Sequence, residues 1–169
     1  MTDALAGEAA GSTTNLEAIA RHYCGEFVRV QWSVMPSLCG LATRNEDSAL
    51  IFLHPGLPLG RLGAVFFHEC GHIALGHITG KSPSVDPVAM AQSLAERNER
   101  IEAAAPADKQ FFNTFIGTLE EEADAFSAEA LADFERRFGP FLAALGIGEV
   151  LSFADKCLKE IAPEYIFSQ

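Results

Sequence analysis

Residues 68–77 read HECGHIALGH, which places three histidines, a glutamate and a cysteine in ten positions of an otherwise apolar run. In a helix His68 and His72 stand at i and i+4, one above the other, the geometry two imidazoles need to share a tetrahedral cation. Glu69 lies one position further round. Its carboxylate therefore reaches a water polarised by that cation without ligating the cation itself, and can take the water's proton. The His-Glu-x-x-His spacing thus encodes two ligands and one base. On a core helix that matched by chance, both imidazoles would be satisfied by backbone carbonyls, so a third ligand is what separates the two readings.

His77 is the nearest candidate, and helix phase opposes it. At about 100° per residue, an unbroken helix carries it to the face opposite His68. Zinc proteases with a third histidine use His-Glu-x-x-His-x-x-Gly-x-x-His, whereas this chain has Leu75 and Ile78 where that pattern requires Gly and His.

A second candidate lies downstream, in LEEEADAF at 119–126. Three consecutive acidic residues usually form a solvated face. Here, however, Glu120, Ala123, Asp124, Ser127 and Leu131 share one helical stripe, and its small residues allow close packing against the first helix. Glu120 can then complete a His68, His72, Glu120 site whose fourth position is open to water, while Asp124 accepts the outer N–H of a ligand histidine. Glu121 and Glu122 are expected to point elsewhere. Two imidazoles and a carboxylate favour one zinc ion per chain, with manganese or iron as alternatives.

Around these motifs the chain reads as one domain over residues 14–169 behind a disordered start at 1–13, which is rich in Ala, Gly, Ser and Thr. Leu16, Ile19, Ala20, Tyr23 and Phe27 recur at helical spacing after a Thr-Thr-Asn run. Strands are expected at VRVQWSV (28–34), CGLATR (39–44) and ALIFL (49–53), the last two joined as a hairpin through Asn45-Glu46-Asp47. The sequence after Pro58 runs helically through the opening motif, with Gly76 and Gly80 as stop signals. Further helices are expected from about Val88 to Ala104 and from about Lys109 onward, with one or two short helices in the tail after Gly139. The fold class is therefore α+β: a small, mostly antiparallel sheet packed on the motif-bearing helix, with a helical C-terminal half.

The 169 residues carry 12 Lys plus Arg against 23 Asp plus Glu, a net charge of −11. Neither direct nucleic-acid binding nor an anionic membrane surface suits that balance. The opening residues lack the basic region and apolar run of a signal peptide. Cys24, Cys39, Cys70 and Cys157 are widely spaced, with no C-x-x-C pair, and read as reduced thiols of a cytoplasmic protein. Cys70 is expected to pack in the core, and His22 to lie at the surface or pack locally.

HECGHIALGH, the approach LPLGRLGAVFF with Arg61, and EEEADAFSAEAL together resemble the ImmA/IrrE-type zinc metallopeptidases, small cytosolic members of the zincin fold. The resemblance spans roughly residues 45–133. It implies His68 and His72 as ligands, Glu69 as general base and Glu120 as third ligand. Ser127 stands where the family usually has Ala, and the interval from His68 to Glu120 is longer than is usual. Members of this family commonly cleave a DNA-binding repressor or antitoxin-like protein, which implies a transcriptional regulator as the protein substrate here. The expectation from the residues and the resemblance together is a zinc-dependent endopeptidase, with the substrate paired in extended form against an edge strand at Ala49–Leu53. The alternative is a metal-containing module that sequesters a regulatory protein without cutting it. An oxyanion donor is also expected, and His54, Tyr23, Tyr165 and His77 are open candidates.

Overall fold

The structure, a computed structural model, describes residues 14–81 and 85–145. The expected disordered start at 1–13 and the tail beyond residue 145, with Cys157 and Tyr165, lie outside the described residues.

The central element is a strand, β3 (Ala49–Leu53), whose five residues are all buried. It pairs in parallel with β1 (Val28–Trp32) and antiparallel with β2 (Gly40–Arg44), giving the order β1-β3-β2. The expected hairpin is present. Asn45 closes it, its side-chain oxygen accepting from the Asp47 and Ser48 amides at 2.9 and 2.7 Å. The sheet is mixed, with one parallel and one antiparallel pair, where mostly antiparallel pairing was expected. The chain passes β3's place between β1 and β2, so β3 enters the middle on its return. An uninterrupted apolar run such as ALIFL suits a strand buried on both faces. One consequence is a correction: Ala49–Leu53 is not an edge strand, and the strand with an open outer side next to the motif helix is β2.

One face of the sheet presents Val28, Val30, Ala49, Ile51 and Leu53 to two helices, α1 (Thr14–Cys24) and α2 (Leu59–Ala74). The other face presents Leu41, Leu50 and Phe52 to Ala91 of α3 (Pro87–Glu102). Gly25, at φ +73°, ends α1, so Phe27 falls beyond the helix on which it was expected and is half exposed. α3 begins where Asp86 accepts hydrogen bonds from the Val88 and Ala89 amides behind Pro87. The longest element, α4 (Pro106–Phe138), is followed by the short α5 (Phe141–Ala144).

α2 turns Leu62, Phe66, Phe67, Cys70 and Ile73 into the core, each at most 2% exposed. Phe66 and Phe67 there meet Phe141, and Phe67 also meets Phe134 of α4. Cys70 is thus a packing residue. Against the same helix α4 buries Ala123, Ser127, Ala130 and Phe134, at spacings of four, three and four. The backbones approach closely at Gly71, where an added Cβ would stand 3.2 Å from the Ala123 Cα and carbonyl oxygen. Ser127 Oγ donates to the Ala64 carbonyl at 2.7 Å and pins the crossing. Among the described residues, no helix is long and apolar enough to cross a membrane.

Candidate metal centre

The crossing of α2 and α4 brings His68, His72 and Glu120 together, with one donor atom from each within 4.8 Å of the others. The Nε2 atoms of His68 and His72 are 3.1 Å apart. Glu120 Oε2 lies 3.0 Å from His68 Nε2, and its Oε1 lies 3.4 Å from His72 Nε2. Ligand arms of about 2.0–2.2 Å at tetrahedral angles separate donor atoms by about 3.3–3.6 Å. The triangle is therefore of the size such an ion spans, and this group can hold a metal ion.

The outer nitrogens of both rings are engaged elsewhere. His68 Nδ1–H donates to Asp124 Oδ1 at 2.7 Å, as the helical spacing predicts. A carboxylate only accepts, which leaves His68 Nε2 as a lone pair facing the triangle. His72 Nδ1 meets His77 Nδ1 at 3.0 Å. Burial also lowers the pKa of His72, favouring the neutral ring that ligates. Two imidazole nitrogens and a carboxylate thus converge on one point, a donor set that could hold a cation.

His77 is a correction. An unbroken helix would turn it away from His68, but α2 stops at Ala74. Gly76 adopts φ +73°, its amide donates to the Ile73 carbonyl at 3.1 Å, and the His77 amide reaches back to the His72 carbonyl at 2.9 Å. This is a Schellman ending, whose left-handed glycine turns the next residue back over the last helical turn. His77 consequently returns to the face of His72. Glu122, expected to point elsewhere, is its partner, with Oε2 2.8 Å from His77 Nε2.

Glu69 is 7% exposed and sits beside the triangle, against β2. Desolvation pushes its carboxyl up to about 7, with Glu120 adding to the rise and His68 and the Ala42 amide opposing it. Gly40 is what admits it. A Cβ at that position would stand 2.7 Å from Glu69 Oε1 and 2.9 Å from its Cγ. Sequence reasoning missed this residue, although a glycine at a strand's start is a signal of close approach.

The cleft over these residues encloses about 1000 Å³, walled by Gly40 and Ala42 of β2, Arg61 and Val65 of α2, and Phe115 and Leu119 of α4. Among the described oxyanion candidates, His77 lines it. His54 is buried, with Nδ1 accepting from the Gly56 amide, and burial lowers its pKa. Tyr23 donates to Asp133 at 2.8 Å and stacks edge-on to Phe67. His22 is exposed, its ring edge-on to Tyr23. Compared with known proteins, the chain matches no family model, no curated protein and no solved structure.

Proposed function

We propose that the protein is a zinc-dependent endopeptidase of zincin type that hydrolyses a peptide bond in a protein partner, with a DNA-binding transcriptional regulator as the substrate class and the cytoplasm as its site of action. The observation that carries this reading is the buried carboxylate of Glu69 beside the convergent donors of His68, His72 and Glu120. A closed structural site has no use for a further, buried carboxylate that costs free energy to ionise.

His68, His72 and Glu120 would hold the ion, which when bound supplies Lewis acidity toward a water and a peptide carbonyl. Asp124 holds His68 in the tautomer that presents Nε2. Glu69, buried beside the donor triangle, would take the proton of the attacking water and deliver it to the leaving amine. The Cys39 carbonyl and the Asn45 amide bond inward to His54 and Ser48, so by alternation Gly40, Ala42 and Arg44 direct their backbone polar groups outward. Ala42 spends its amide on Glu69. An extended substrate would therefore pair with the outer side of β2 beside Gly40, in strand-addition mode.

The reading is tested with zinc-loaded wild type and Glu69→Gln, each incubated with a proteome-derived peptide library whose new termini are read by mass spectrometry. Wild type is expected to generate defined termini and Glu69→Gln none, with zinc content equal. Cleavage by Glu69→Gln at the wild-type rate would overturn it. The second reading, a metal-containing module that holds a regulator without cutting it, draws on Phe111 and Phe115, 67% and 57% exposed in the N-terminal part of α4; it predicts a stable complex and no new termini from either form.

A further inference from the structure

We infer that His77 and Glu122 form a positioning chain for His72, so that the metal site is supported from both sides by acidic groups, directly at His68 and through a second imidazole at His72. The inference rests on the metal-site reading above.

Proton bookkeeping determines the chain's direction. Nε2 of His72 faces His68 and Glu120, so as a ligand His72 carries its proton on Nδ1. That N–H points at His77 Nδ1, 3.0 Å away, which must therefore be an acceptor. A neutral His77 accepting at Nδ1 carries its own proton on Nε2, and Glu122 Oε2 waits there at 2.8 Å to receive it. Every donor meets an acceptor, and no group in the chain needs a second tautomer. The His77 side chain is 6% exposed while that of Glu122 is 54% exposed, so a buried ring connects the interior ligand to a carboxylate at the surface. The two rings meet edge-on at 63° with centroids 5.2 Å apart, an arrangement in which the His72 plane is held along with its proton.

His68 shows what the chain replaces. Its partner, Asp124, lies on the α4 stripe that faces α2 and reaches Nδ1 directly. His72 is one turn further along α2, where among the described residues its outer nitrogen meets no acidic side chain of α4; the Schellman ending places His77 there instead. Partners of ligand imidazoles contribute about 10- to 100-fold to metal affinity by fixing tautomer and orientation.

The test uses the full chain and zinc alone, with affinity read by competition against a chromophoric chelator. Wild type is compared with His77→Phe, His77→Asn, Glu122→Gln and His68→Ala. His77→Phe removes the acceptor and is expected to weaken zinc binding by about 10- to 100-fold. In His77→Asn the amide oxygen stands close to the position of Nδ1 and is expected to restore most of that loss, a rescue that a packing role alone would not produce. Glu122 is half exposed, so Glu122→Gln leaves the fold intact while weakening the chain's charged end, and a smaller loss is expected. Long-range proton–nitrogen spectra of the zinc-loaded wild type are expected to show His72 protonated at Nδ1 and His77 at Nε2. Wild-type affinity in His77→Phe, or a His77 protonated at Nδ1, would overturn the chain while leaving the metal site standing. If wild type and His68→Ala alike bind no zinc, the metal-site reading fails and the chain with it.

Discussion

The two faces of α2 are built on opposite terms. On one, Leu62, Phe66, Phe67, Cys70 and Ile73 are sealed among aromatic rings. On the other, further round the helix, His68, Glu69 and His72 line a cleft, with burial disfavouring the charged forms of Glu69 and His72. The first face stabilises the fold, and the second holds chemistry that the fold must support. Substitutions on the two faces should therefore have opposite signatures, and the contrast can be broken at several points.

The largest effect is expected on the core face. Phe67 is fully buried against Tyr23, Phe134 and Phe141, and Phe67→Ala should destabilise the protein by about 3–5 kcal/mol in chemical denaturation. A loss below about 1 kcal/mol would mean that α2 is not anchored there.

On the cleft face, Glu69→Gln should reduce cleavage by about 10²–10⁴-fold and yet stabilise the metal-free protein at pH 8. The sign follows from burial. The folded chain binds the Glu69 proton more tightly than the unfolded chain, with a pKa of about 7 against an ordinary 4.5. The penalty for holding an ionised carboxylate is thus absent below pH 4.5, grows across the interval, and is complete above pH 7. Melting temperatures in the presence of chelator should show the variant above wild type at pH 8 and level with it at pH 4.5. A variant less stable at pH 8 would show that the Ala42 hydrogen bond outweighs desolvation.

Ser127 joins the two faces' supports, since its hydroxyl ties α4 to the Ala64 carbonyl. Ser127→Ala should cost about 1 kcal/mol, with Glu120 slightly less well held and zinc affinity only modestly lowered. The smallest effect is spectroscopic. Burial and the hydrogen bond to Asp133 push the Tyr23 hydroxyl up to about 12, so absorbance titration should show a late tyrosinate phase that Tyr23→Phe removes. Because the folded pKa exceeds the unfolded one, this bond's contribution is lost as pH rises from 10 to 12.

Much of this division was legible in the sequence. The i, i+4 spacing of His68 and His72, the adjacent Glu69, and the small-residue stripe through Glu120, Ala123, Asp124 and Ser127 are local periodicities, and a helix converts them directly into geometry. β3 was legible as a strand because ALIFL is short, apolar and bounded by turn residues. Its place in the sheet was not. Nothing local in VRVQW states that it pairs in parallel with β3 rather than beside β2, so the open edge fell to the wrong strand. The place of His77 is hidden for a different reason: Gly76 marks a stop in the sequence, and its left-handed φ also sets where the next side chain lands. Glu122 became meaningful only once His77 had returned, and Gly40 only once β2 lay against Glu69.

Glu120 is, among the described residues, the one member that α4 contributes to the group that could hold a metal ion, so the proposed site depends on it. Zinc content measured by mass spectrometry on wild type and Glu120→Ala, purified and dialysed side by side, tests this most directly. One zinc per chain is expected in wild type and a substoichiometric, readily stripped ion in Glu120→Ala, with circular dichroism unchanged because that carboxylate is half exposed. Equal zinc retention by both proteins, or none in wild type, would contradict it.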